Sequence, residues 1–124
     1  MKVLRFNKHF YDEMNSWYTK RELPILIKDI LPNTGFIVSE VAAGFLYCCD
    51  GNLGLIENFI TNPDAKSEDR DEAINIIIDS IEQEAKILGI KYIIGSTKED
   101  SLLMRSLNLN YKDLGKYNLI FKNL

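Results

Sequence analysis

Histidine is almost missing from this chain: His9 is the only one among 124 residues. Cysteine is scarce too, with only Cys48 and Cys49, which are neighbours. No Cys/His spacing of the kind that holds zinc is present. The acidic run Asp64–Glu72 lacks the glycine and ligand spacing of a calcium loop, so no metal is expected. A catalytic cysteine needs a base close by, and His9 lies far away in sequence. Adjacent strand residues point to opposite faces, so a Cys48–Cys49 disulfide would be strained. Two reduced cysteines in a sheet are expected. There is no G-x-x-x-x-G-K-S/T loop and no G-x-G-x-x-G turn. No apolar run approaches the ~20 residues that span a bilayer. The opening MKVLRFNKHF has no apolar segment of signal-peptide type, and cytoplasm is the expected compartment. Positive charge is not in excess. Fifteen Lys and Arg face eighteen Asp and Glu, a net charge of −3, which argues against general nucleic-acid binding.

What is present reads as one domain. The length suits a single core, and 46% hydrophobic with 27% charged residues is globular composition. A strand is expected over Met1–Phe6. Asn7 then caps a helix over Lys8–Lys20, and Pro24–Leu31 forms a second, short helix. Pro32-Asn33-Thr34-Gly35 signals a turn. Strands follow over Phe36–Glu40, Val41–Cys49 and Leu53–Thr61, with Asp50-Gly51 as a hairpin signal. Ile74, Ile77, Ile78, Ile81, Ala85 and Leu88 recur at helical spacing, which predicts a long helix over Ser67–Leu88. Ser67 is its expected N-cap and Gly89 its C′ residue. Lys91–Gly95 reads as a buried strand and Lys98–Leu107 as a short helix. Asn110–Leu114 and Tyr117–Lys122 are expected to close the chain as a hairpin. The order β-α-α-β-β-β-α-β-α-β-β is α/β: a mixed, mostly antiparallel sheet with helices on both faces and one right-handed parallel crossover.

This order, with the stretches GFIVSE, AAGFLY, LIENFITNPDAKSEDRDEAI, AKILGIKYIIGST and LNLNYKDLG, resembles the GNAT superfamily of N-acetyltransferases over essentially the whole chain. The arrangement NPxAxxxxRxEAI is also similar to a small GNAT-like group from phage genomes. The resemblance implies acetyl-CoA as cofactor. Strands four and five, Leu53–Thr61 and Lys91–Gly95, would splay apart, and the pantetheine arm would add to the fourth like a strand. The pyrophosphate would sit on the N-terminus of the long helix. On this resemblance Phe59, Ile60 and Thr61 face pantetheine, while Lys66, Ser67, Arg70 and Ala73 surround the phosphates. Glu57 is the base that deprotonates the amine. Strand alternation would put Leu55, Glu57, Phe59 and Thr61 on one face. Trp17, Tyr18 and Arg21, from the segment Trp17–Leu23 that the resemblance makes the acceptor side, and Tyr47, on the neighbouring strand, are the expected acceptor contacts.

The chain departs from the family at two places. The family's phosphate loop reads Gln/Arg-x-x-Gly-x-Gly/Ala; aligned on Ala73, this chain has Glu68 and Asp71 instead of the Gln/Arg and the first glycine. Two unit charges ~10 Å apart in water interact by only about 0.4 kcal/mol, so the added acid weakens an anion site without abolishing it. The family's acid is a tyrosine four residues before a Gly-Phe pair. That pair corresponds to Asn110-Tyr111, which puts Ser106 at the tyrosine position. Two functions follow as expectations. One is transfer of an acetyl group from acetyl-CoA to a primary amine of a small molecule or a protein. The other is a GNAT-fold binding module without catalysis, of phage type. A homodimer through strand edges or the C-terminal hairpin suits either.

Overall fold

The computed structural model describes residues 1–124. Its strands are β1 (Leu4–Arg5), β2 (Thr34–Val38), β3 (Ala42–Cys48), β4 (Leu53–Thr61) and β5 (Tyr92–Gly95). Its helices are α1 (Tyr11–Lys20), α2 (Ser67–Ile87) and α3 (Asp100–Asn108). The strands lie in the order β1-β2-β3-β4-β5. Every neighbouring pair is antiparallel except β4 and β5, which α2 joins in parallel. The expected mixed sheet is therefore present. Five strands form it, and none of its helices is long and apolar enough to cross a membrane.

Each face of the sheet is covered by one helix. On one side Ala73, Ile77, Ile78, Ile81 and Ala85 of α2 pack on Phe36, Val38, Ala42, Leu46 and Ile56. Ile77, Ile78, Ile81 and Ala85 belong to the helical repeat that the sequence displays, whereas Ile74 is only partly buried and Leu88 is exposed. On the other side Met14 and Trp17 of α1 pack on Ile37, Ala43, Phe45 and Ile60. Gly44 lies under the Phe59 ring: a Cβ there would come within 2.6 Å of it. Close approach of a ring to the backbone is what this glycine provides.

All three helices end in the same way. Ile90 N–H donates to Ala85 and Gly89 N–H to Lys86, with Gly89 at φ +78°. This is a Schellman cap. Asn110 (φ +69°) plays the glycine role after α3, and Glu22 (φ +56°) after α1, each with the same pair of bonds. A glutamate bears a steric cost in that left-handed conformation that glycine does not. Glu22→Gly is expected to raise stability by about 0.5–1 kcal/mol, read as a shift of the denaturant midpoint at constant m-value.

β5 is not the buried strand expected, since Tyr92 is 67% and Ile94 45% exposed. Three further expectations fail. Pro24–Leu31 is not a helix: it has one 3-10 turn at Lys28–Ile30, and Ile25, Ile27 and Ile30 are exposed. The Tyr11 hydroxyl donates to the Leu26 carbonyl, which holds the segment extended, and short helices are marginal without such competition. The closing hairpin is absent. Beyond Tyr111 no residue is in a strand, and Tyr117, Leu119, Ile120 and Phe121 are exposed. A two-stranded hairpin needs a further strand or helix to be stable, and here β5 keeps its far edge unpaired. The third concerns the start of α2. Lys66, not Ser67, is the N-cap, and no side chain caps the helix.

Candidate functional site

The site begins where β5 stops. Its pairing with β4 covers only Leu53 to Ile56, opposite Tyr92 to Gly95. From Glu57 to Thr61, β4 has β3 on one side and no strand on the other. The open stretch leads directly into the turn before α2. Asn62 builds that turn. It is buried, its amide N–H donates to Val41, its Nδ2 to the Glu40 carbonyl at 2.8 Å, and its Oδ1 accepts from Asp64 N–H. The first helical bond of α2 runs from Arg70 N–H to Lys66, so the amides ahead of Arg70 have no acceptor within the helix. An anion at that end would meet these amides and the positive end of the dipole.

The backbone directions on β4 follow from one bond. Asn62 N–H donates to Val41, and antiparallel pairs alternate between bonded and non-bonded. Ile60, opposite Ala43, therefore turns its amide and carbonyl toward β3. Thr61 turns its groups outward. Its carbonyl indeed accepts from Arg21 Nε at 2.9 Å, and its hydroxyl from Arg21 Nη2 at 2.6 Å. Lys20 adds an ion pair to Asp64 at 2.7 Å. The end of α1 is thus strapped to the end of the open strand.

A bulge decides which way the side chains point. Ala43 pairs with Ile60, but Phe45 pairs with Glu57, so β4 carries one extra residue there. Asn58 sits in it with φ +59°. A bulge resets the in-out alternation. Glu57, opposite Phe45, lies on the α1 face, while Phe59 packs on the α2 face. The single-face grouping of Glu57 with Phe59 and Thr61 is therefore corrected.

On the α1 face Glu57 meets Ser96 and Tyr47. Glu57 Oε1 accepts from both Ser96 N–H and Ser96 Oγ at 2.9 Å. Burial pushes the Glu57 carboxyl above the usual carboxylate range, and the two Ser96 bonds pull it partly back. Asn58 Nδ2 donates to the Tyr47 phenol oxygen. The Tyr47 phenol is also raised, by burial first and by the Glu57 charge, against the Asn58 bond. Tyr18 stands beside it, pushed up to about 12 by burial and by Tyr47. A carboxylate that readily holds a proton and a protonated phenol are thus neighbours at the mouth of the open strand. Such a pair can take a proton from one group and give one to another.

The other expected residues fall in different places. Trp17 is 1% exposed in the α1-side core, so it cannot touch an acceptor. Ile60 is buried in that same core and shows an added strand neither its side chain nor its polar groups. Arg21 is engaged at Thr61. Ser106 lies within α3 and its hydroxyl donates back to Leu102 at 2.9 Å. Lys66 and Ser67 are exposed at the helix start. Arg70 donates to the Pro63 carbonyl at 3.2 Å, and Ala73 is core. Asp71, the acid in place of a glycine, is paired with Arg105 at 2.7 Å. Arg105 also reaches Asn75 Oδ1 at 2.8 Å, bracing α3 on α2. Sequence reading gave no role to Asn58, Asn62, Ser96 and Arg105. Their partners lie far off in the chain, except that Asn62-Pro63-Asp64 is a visible turn signal.

No family model and no curated protein matches the sequence. Solved structures do. An aminoglycoside acetyltransferase, meta-AAC0020, from an uncultured soil metagenomic sample and crystallised with sisomicin, is 12% identical. It superposes with a TM-score of 0.72 over 99% of this chain and 95% of its own. AAC(6')-Iy, in complex with the bisubstrate analogue CoA-S-monomethyl-acetylneamine, is 13% identical, with a TM-score of 0.65 over 99% and 98%. TTHA1254 from Thermus thermophilus is 17% identical, with a TM-score of 0.68 over 100% and 98%. The fold is that of the GNAT acetyltransferases.

Proposed function

We propose that this protein transfers an acetyl group from acetyl-CoA to a primary amine. The observation that carries the reading is the open stretch of β4 from Glu57 to Thr61, which runs into the uncapped N-terminus of α2. A pantetheine arm has amide groups that suit such an edge, since an extended chain pairs with an unpaired strand. The phosphates would lie on the amides ahead of Arg70, with Lys66, Ser67 and Arg70 as the side chains at hand. The Asp71–Arg105 pair favours this, because it neutralises the one acid that stands where a glycine is usual. Phe59 and the edge around Thr61 would line the arm, and Arg21 would have to share or release the Thr61 carbonyl. Glu57 would accept the amine proton. CoA and aminoglycosides are what the solved relatives bind, so a small polyamine is the first acceptor class to try. The alternative, a binding module without catalysis, draws its support from Ser106, whose hydroxyl is tied to its own helix.

Calorimetric titration with acetyl-CoA, paired with a thermal melt, tests the cofactor site. Saturation at 100 times the dissociation constant adds about 2.7 kcal/mol of stability, roughly 5–10 °C for a domain near this size. Arg70→Ala should weaken that binding and leave the ligand-free melt nearly unchanged. Absence of heat and of any shift at millimolar acetyl-CoA would refute the reading.

A further inference from the structure

We infer that Arg105, on α3, sets the affinity of the phosphate end of the site by holding the Asp71 carboxylate away from it. This deepens the acetyl-CoA reading above and rests on it. The amides without a helical acceptor are those ahead of Arg70, which include Ser67, Glu68 and Asp69. Asp71 stands four residues after Ser67, on the same side of α2 and ~6 Å further along its axis. Helical Cα–Cβ bonds tilt toward the N-terminus. An unheld Asp71 side chain would therefore lean over Ser67, toward the amides where a phosphate would lie. Two like charges at that spacing repel, and the surface dielectric screens them only in part.

Arg105 draws that side chain the other way. Its Nη2 donates to Asp71 Oδ1 at 2.7 Å, and its Nη1 donates to the Asp71 carbonyl at 3.3 Å and to Asn75 Oδ1 at 2.8 Å. Helix carbonyls point toward the C-terminus, and Asn75 lies one turn beyond Asp71. The guanidinium therefore sits on the C-terminal side of Asp71, opposite to Ser67. The Arg105 side chain is 20% exposed and that of Asp71 63%, so the cation is the anchored partner. Glu68, Asp69 and Glu72 have no cation within ion-pair distance. Among the acids in the first two turns of α2, the fold supplies one to Asp71 alone, from 34 residues further along the chain.

Arg105 is thus a positioning residue, acting on the phosphates through Asp71. A mere brace between α3 and α2 behaves differently. If the pair only held the two helices together, breaking it from either side would do the same harm. If Asp71 has to be kept from the phosphates, the two sides differ in sign. Removing the cation frees a repelling charge, whereas removing the carboxylate leaves nothing to repel.

Binding measurements read that sign without an identified acceptor. CoA is titrated at low salt into wild type, Arg105→Gln, Asp71→Asn and the double variant, with a ligand-free melt of each. Arg105→Gln should weaken CoA about tenfold, between the bulk-water and protein-surface limits for like charges at this spacing. Asp71→Asn should bind CoA at least as tightly as wild type, although its melt falls as far as that of Arg105→Gln, since each breaks the same pair. The double variant should return to within about threefold of the wild-type affinity. Equal losses in the two single variants, a double variant as weak as Arg105→Gln, or an Arg105→Gln that binds like wild type each overturns the assignment of Arg105 and leaves the cofactor site standing. Failure of wild type to bind CoA overturns the acetyl-CoA reading and this one with it.

Discussion

Glu57→Gln is expected to lower the rate of amine acetylation by about 10²–10⁴-fold, the usual worth of a positioned general base. The substitution is nearly isosteric, and a glutamine oxygen can still accept from Ser96 N–H and Ser96 Oγ. What it removes is the ability to take a proton. Wild type should lose activity as the pH falls through the Glu57 carboxyl, whose value burial holds above the ordinary carboxylate range. The variant should lack that limb. The stability effect has the opposite sense. A carboxyl whose folded pKa is raised binds its proton more tightly when folded. Its contribution is therefore fully present below the unfolded value and is lost as pH rises through the folded one. At neutral pH the ionised form is a burden that glutamine lacks, so the melting temperature of Glu57→Gln should not fall. Initial rates across pH, with melts on the same samples, check both parts. A rate within threefold of wild type would remove Glu57 from the chemistry.

Trp17→Ala is expected to cost about 3–5 kcal/mol. That is a large part of the roughly 5–15 kcal/mol that holds a typical domain together. Trp17 is 1% exposed, packed with Met14, Ile37, Ala43, Phe45 and Ile60. Its loss opens a cavity between α1 and the sheet that neighbours fill only in part. A residue that contacted the acceptor would behave otherwise, raising KM at an unchanged melting temperature. Denaturant unfolding separates the two outcomes. A cost under about 1 kcal/mol would contradict this packing. Because Trp17 lies on the helix that also carries Tyr18 and ends at Arg21, activity should fall with stability in this variant.

The acceptor contacts illustrate how residue type alone misleads. Trp17, Tyr18 and Arg21 are close in sequence and chemically suited to a substrate. A helical turn separates them in space and gives each a different task. Trp17 points into the core, Tyr18 stands half-buried beside Tyr47, and Arg21 reaches past the helix end to Thr61. Which aromatic of α1 fills the interior depends on where the sheet lies beneath it. Glu57 was singled out from its place on β4. Its environment was not legible, since Ser96 approaches only where β5 stops.

Residue order alone was enough for what is local. The α2 repeat, the left-handed residue Gly89 after it, the turn between β3 and β4, and the strand–turn–helix order of LIENFITNPDAKSEDRDEAI all depend on residues within a few positions of one another. Period and turn chemistry report such contacts directly. The rest came from assembly of the fold, because the partners are distant in the chain. Pairing with β3 created the bulge at Asn58 and moved Glu57 to the opposite face from Phe59. Asp71 found Arg105, and Thr61 found Arg21. The Tyr117–Lys122 run has the composition of a strand, yet it forms none. A strand exists only when a neighbour pairs with it, and no pattern within a single segment encodes that neighbour.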